Sequence, residues 1–240
     1  METREQFLNE IQSNIKRYGY HVTIVNGKLE PRYAYSIGLK NIIGKELIFA
    51  GGVFFNKEGV FKIFQDVVIE IQKAERLIGN SIISSLGIFS LRATHPTWSR
   101  LMMLGVYDFY NDDKIEALQI LPSKENYTLD IPDMSIEFDQ TEPIWKWLVK
   151  EWDLKVPMDS SVITDISAMQ GETIVEVMRW EDNEWEMFSG PGPDVPKAQK
   201  RVVSLATLLG VDTTLTPSIN LPIGKGMWRD ALESDWTPWG

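Results

Sequence analysis

The 240-residue chain contains no cysteine and only two histidines, His21 and His95. The first absence excludes disulfides, thiolate metal sites, iron–sulfur clusters and cysteine nucleophiles. The second leaves little material for an imidazole metal site, and neither histidine has a partner at ligand spacing. No apolar run approaches the ~18 residues that a membrane-spanning helix needs. The N-terminus, METREQFLNEIQSNIKRYGY, lacks the basic stretch followed by an apolar run that marks a secretory signal. Together these absences predict a cytoplasmic protein without a membrane segment. Basic residues are also scarce, with 24 Lys+Arg against 34 Asp+Glu and a net charge of -10. Nucleic acid is a poor partner for such a chain, because phosphate neutralisation needs clustered Lys and Arg.

What remains is ordinary globular material, 43% hydrophobic and 24% charged, enough to build real cores. The acidity is uneven. Residues 1–150 carry 17 Lys+Arg and 19 Asp+Glu, a net of -2; residues 151–240 carry 7 and 15, a net of -8. The nine tryptophans crowd towards the second half, with Trp98 alone before the midpoint and the rest from Trp145 to Trp239.

Hydrophobic spacing predicts the elements. Phe7, Leu8, Ile11 and Ile15 fall on one helical face within Thr3–Tyr18. Tyr20–Val25 alternates as a strand, and Asn26-Gly27 reads as a hairpin turn into a strand over Arg32–Leu39. Glu46–Ala50 is a third strand. Asn56–Leu77 is a long helix with Val60, Phe61, Phe64, Val67, Val68 and Ile71 inward. Strands over Ile88–Ala93 and Glu116–Leu121 flank a short helix opened by Pro96. Ile144–Trp152 reads as a Trp-rich helix that packs between domains, and Lys155-Val156-Pro157 breaks the pattern. Beyond it, Ser161–Thr164 is a strand. Thr173–Trp180 and Glu184–Phe188 form a hairpin, and Pro196–Leu209 reads as a helix. The sum is an α+β protein of two domains, 1–153 and 154–240, each a mainly antiparallel sheet packed by helices.

Chemistry-bearing motifs fail one by one. Ser36, in Tyr35-Ser36-Ile37-Gly38, is not in the G-x-S-x-G elbow of a serine nucleophile. Gly224-Lys225-Gly226 lacks the remainder of a phosphate loop. Ser189-Gly190-Pro191-Gly192-Pro193 contains two prolines, which remove backbone N–H donors. Asp112-Asp113 and Glu181–Glu184 lack calcium-loop spacing. No catalytic residue, metal ligand or cofactor is predicted.

Two stretches carry resemblances. Tyr18-Gly19-Tyr20-His21-Val22, Pro31 through Leu39 (PRYAYSIGL), Glu46-Leu47-Ile48 and Leu118–Pro122 resemble a bacterial domain-of-unknown-function family with a P-x-[FWY]-[AS]-Y-[ST]-I-G-L motif. The likeness covers roughly residues 1–140, departs at Lys45 where Pro is usual, and implies no activity. Val162-Ile163-Thr164, Trp185 through Gly190, Leu221 through Gly224 and Met227-Trp228-Arg229 are similar to immunity-type domains of bacterial polymorphic toxin systems, over about residues 158–232.

Two functional readings follow. In the first, the protein is an immunity or antitoxin-like binder that covers a toxin's active site. A basic toxin such as a nuclease would be steered towards the acidic second domain. Glu181, Asp182, Glu184 and Glu186 are the expected contacts, with Trp185 as aromatic anchor and Trp236 and Trp239 in an acidic tail that folds back or meets the partner. In the second, the first domain holds a small-molecule or catalytic pocket built from His21, Tyr33, Tyr35, Ser36, Arg92 and His95, and a cleft around a perturbed histidine would favour it. A purely structural role stays open beside both.

Overall fold

The computed structural model describes residues 4–73 and 78–239. The first sheet contains β1 (His21–Val25), β2 (Tyr33–Ile37), β3 (Glu46–Ala50), β4 (Ile82–Ser84), β5 (Gly87–Ala93) and β6 (Ala117–Pro122), in the order β1-β2-β3-β6-β5-β4. Only β3 and β6 run parallel; the other neighbours are antiparallel. Helices α1 (Arg4–Tyr18), α2 (Lys40–Ile43), α3 (Lys57–Lys73), α4 (Pro96–Met102) and α5 (Leu104–Tyr110) accompany it.

This sheet is the middle of three layers. All five residues of β2 are buried, because side chains alternate between two covered faces. Ala34 joins the core beneath α3, while Tyr33, Tyr35 and Ile37 join the core of α1, α4 and α5. The α3 stripe is Val60, Ile63, Phe64, Val67, Val68 and Ile71; Phe61, expected inward, is 43% exposed, and Ile63 takes the inward place two residues on. Burial of such side chains stabilises by roughly 1.5–3 kcal/mol each. The expected helix boundaries at Thr3 and at Ala74–Leu77 lie outside the described residues.

The second sheet contains β7 (Ser161–Asp165), β8 (Glu176–Arg179), β9 (Glu184–Phe188), β10 (Lys200–Ser204), β11 (Lys225–Trp228) and β12 (Thr237–Trp239), ordered β10-β7-β9-β8-β11-β12. Here too one pair, β7–β9, is parallel. Helices α6 (Ile166–Met169) and α7 (Leu205–Val211) accompany it, and Leu205 and Leu208 of α7 join its core. The two mixed sheets make the α+β architecture expected of the sequence.

Three local expectations are corrected. The helix expected over Pro196–Leu209 divides into a 3-10 turn at Lys197–Gln199, strand β10 and α7. β-Branched Val202 and Val203 pair with Ile163 and Val162, and Ser204 caps α7 by accepting from the Thr207 N–H at 3.0 Å. The Trp-rich segment forms only a 3-10 turn, Lys146–Leu148. Its side chains serve separate cores: Trp145 packs with Trp98 and Tyr33, whereas Trp147 packs with Leu29, Ala206 and Trp152. Asn26-Gly27 begins a longer connection over residues 26–32 instead of a two-residue turn.

The two sheet regions are joined by polar contacts as well as by Trp147. Arg201 donates from Nε to the Val53 carbonyl (3.0 Å) and from Nη2 to that of Phe54 (3.0 Å). Leu129 N–H donates to the Met169 carbonyl at 2.8 Å. These are buried or half-buried bonds, worth about 0.5–1.5 kcal/mol each and more to break one-sidedly.

Candidate functional site

Strand register sets one face of the second sheet. Val202 pairs with Ile163, Ile163 with Glu186, Glu186 with Met178, Met178 with Gly226 and Gly226 with Trp239. Register partners share a side, so these six residues form one row across all six strands. Their neighbours Val162, Trp185, Val177 and Met187 point to the opposite, buried side. Exposure along the row is uneven: Val202, Ile163 and Trp239 are exposed, Glu186 is half-buried, and Met178 and Gly226 are buried, the glycine beneath the Trp239 ring.

Carboxylates and indoles gather at one end of this face. Glu184 lies two residues from Glu186 on β9, and the turn between β8 and β9 adds exposed Glu181 and Asp182. Trp180 is 50% exposed and donates its indole N–H to Glu186 at 2.9 Å. Arg179, the nearest cation, is spent internally. It donates to the Asp182 carbonyl and carboxylate at 2.8 and 3.1 Å and to the Leu221 carbonyl at 2.8 Å, and lies 4.7 Å over the Trp185 ring. The guanidinium therefore braces the turn and pairs with the Asp182 carboxylate, while Glu181 and Glu184 stay exposed.

The expected partner-binding residues divide accordingly. Glu184, Glu186 and Trp239 share the outward face, and Glu181 and Asp182 adjoin it. Trp185 is corrected: at 1% exposure it is a core residue, since β9 alternation sends it inward, and it has no face to offer. Trp180, one strand away, occupies the exposed position. Its alternation relative to Arg179 was the available signal. The tail folds back. Trp236 lies under the buried Arg229 guanidinium (4.3 Å) and donates to the Thr214 carbonyl at 3.3 Å. Trp239 covers Gly226, where a Cβ would meet its ring at 2.5 Å, so only glycine admits the tail there.

The six residues of the alternative pocket do not converge. Tyr33 and Tyr35 stack on each other (6.4 Å between centroids) within the α1/α4/α5 core, and burial pushes the Tyr33 hydroxyl up to about 12. Ser36 lies on the other face of β2, fully buried, and donates to the Glu46 carboxylate. Glu46 also accepts from Gly38 N–H (2.9 Å), Lys40 N–H (3.0 Å) and the Tyr110 hydroxyl (2.8 Å). That hydroxyl is held as donor, not activated as nucleophile. Gly38 has φ +117°, and a Cβ there would meet Ile15, Gly19 and Tyr20 at about 3 Å, so the knot needs glycine. Arg92 is on the surface, 3.3 Å from Asp133. His95 caps α4. Two of the six line clefts, and these are separate: His21 a space of about 520 Å³ between α1, β1 and α3, and Arg92 an open one of about 730 Å³ beside Tyr127 and Gln170.

A second cleft, about 760 Å³, lies where the two sheet regions meet and is lined by Arg32, Asp130, Ser160, Ser204 and Thr207 among others. Several of its polar groups are occupied. Arg32 donates to the Phe55 carbonyl at 2.7 Å, Ser160 to that of Pro157 at 2.6 Å and Ser204 to that of Leu29. Asp130 is buried, and burial raises its pKa despite backbone N–H donors. Among the described residues, no group of three or more His, Asp or Glu is placed to hold a metal ion, and no helix is long and apolar enough to cross a membrane.

Comparison with known proteins covers the first sheet region. No curated protein and no solved structure matches the chain. Residues 14–127, which include all of β1 to β6, match the family model described as Domain of unknown function (DUF4262).

Proposed function

We propose that this chain works as a protein-binding, immunity-type protein, and that it engages a basic partner through the outward face of the second sheet. The observation that carries the reading is the register row. It exposes Val202 and Ile163 next to Glu186, with Trp180 and the carboxylates of Glu181, Asp182 and Glu184 at its end and Trp239 exposed on the far edge strand. An exposed apolar patch rimmed by carboxylates is costly to leave in water and is typical of an interaction surface. Trp at its edge supplies a large, stiff contact. The net -8 of residues 151–240 would accelerate encounter with a cationic toxin and make the association salt-dependent.

The test is association with the protein encoded beside this chain, in wild type and in Glu181→Lys/Glu184→Lys. The reading expects a complex that protects growth against the neighbour's toxicity and that the double reversal weakens at least tenfold. Binding untouched by the reversal removes the electrostatic part of the reading.

A further inference from the structure

The His21 cleft is built differently from the acidic face and lies on the other sheet. β1 is the outermost strand of the first sheet. Helices α1 and α3 flank it, and the space between them is lined, apart from Glu10, by apolar and uncharged side chains. Tyr18 and Phe61 are 58% and 43% exposed, one from each helix, so two aromatic rings border the same opening. Gln65 and Gln72 add exposed amides from α3.

His21 supplies a fixed polar group. Asn14 lies 2.9 Å from its Nδ1. With the amide nitrogen donating, Nδ1 is the acceptor and Nε2 carries the proton of the neutral ring. Phe7 meets the imidazole edge-on at 6.4 Å, which fixes the ring from the core side. Burial lowers the His21 pKa, with Glu10 offsetting part of the effect, so the neutral form prevails at pH 7.

Charge narrows the ligand. Glu10 is the one carboxylate among the residues that line the cleft, and no Lys or Arg is found among the described ones. Lys62 pairs with Asp66 and Lys73 with Glu70 (2.9 Å), while Arg17 lies 5.0 Å over the Tyr18 ring at the rim. No cation lines the cleft itself, so a phosphate or other anion finds nothing inside it to neutralise it. A flat uncharged ring finds aromatic surfaces, an N–H donor and amides, which pair well with the donor and acceptor edge of a base. The volume lies within the range of small-molecule sites, about 300–1,000 Å³.

We propose that this cleft binds an uncharged heteroaromatic base, of the nucleobase and nucleoside class. The test is calorimetric titration of the full chain with adenine, adenosine and AMP, alongside nitrogen-15 spectra of the imidazole. Phe61→Ala and Gln65→Ala serve as variants, because both side chains are exposed and their loss leaves the fold intact. The proposal expects saturable binding of adenine or adenosine, weaker binding of AMP, and a shift of the His21 ring signals on saturation. Each variant should weaken binding by about tenfold. Absence of saturable binding by both uncharged probes overturns it. So does AMP binding more tightly than adenosine, or binding that both variants leave unchanged. Charge reversals at Glu181 and Glu184 should not alter this binding, so its failure is separable from that of the protein-binding reading.

Discussion

Ser36 donates its hydroxyl to the Glu46 carboxylate and accepts the Leu47 N–H at 2.8 Å. The hydrogen bond joins the end of β2 to the start of β3, and Gly38, Lys40 and Tyr110 complete the shell. A buried carboxylate is tolerable here because four donors surround it. Glu46→Ala strips the acceptor from all of them, so it should cost about 3–5 kcal/mol. Urea unfolding measures this. A loss below about 1 kcal/mol would mean that the shell rearranges.

Asp130 is less well satisfied. Its Oδ1 is buried without a well-formed hydrogen bond, Oδ2 accepts a long 3.2 Å bond from the Val53 N–H, and burial raises its pKa, as it does that of Glu46. A carboxyl whose folded pKa lies above the unfolded value, about 4, contributes its stability below that value. The contribution is lost as pH rises through the folded pKa. Asp130→Asn keeps the shape without the charge. It should therefore raise stability at pH 7 and flatten the decline above pH 4; thermal unfolding across that range is the check.

Trp180 and Trp185 share the β8–β9 hairpin and should respond oppositely. Trp185→Ala empties a core position and should cost about 3–5 kcal/mol. Trp180→Ala removes an exposed ring and should change stability by less than about 0.5 kcal/mol, while weakening the partner complex by at least tenfold. Unfolding and binding measured on the same two variants separate packing from recognition.

Gly226 lies flat beneath Trp239. In Gly226→Ala the added carbon would meet the ring at 2.5 Å and the Val177 carbonyl at 2.7 Å. Strand β12 should detach, the amides of Thr237 and Trp239 should exchange at the rate of free chain, and most of the sheet should stay protected. Unchanged protection of β12 would contradict the packing described.

Much of this was legible in the sequence, for physical reasons that also mark the limits. The α3 stripe and the strands at Glu46–Ala50 and Glu184–Phe188 follow from periodicity. Pro196–Leu209 misled because Leu205, Leu208 and Leu209 are helical in spacing, and the Val202–Val203 pair only declares itself through its partner strand. Trp185 and Trp180 could have been told apart by counting alternation out from the turn. The row Val202–Ile163–Glu186–Met178–Gly226–Trp239 could not, since it requires the strand order. Ser36 looked reactive only until its partner ten residues on was placed. The cleft at His21 depends on where α1 and α3 come to rest, which no local pattern encodes.

The most direct measurement is the affinity of the chain for the protein encoded beside it, at low and high salt, with wild type and Glu181→Lys/Glu184→Lys compared. The account predicts a salt-sensitive complex that the double reversal weakens at least tenfold while its unfolding curve stays that of wild type. Equal affinity in both, or no complex at either salt concentration, would contradict it.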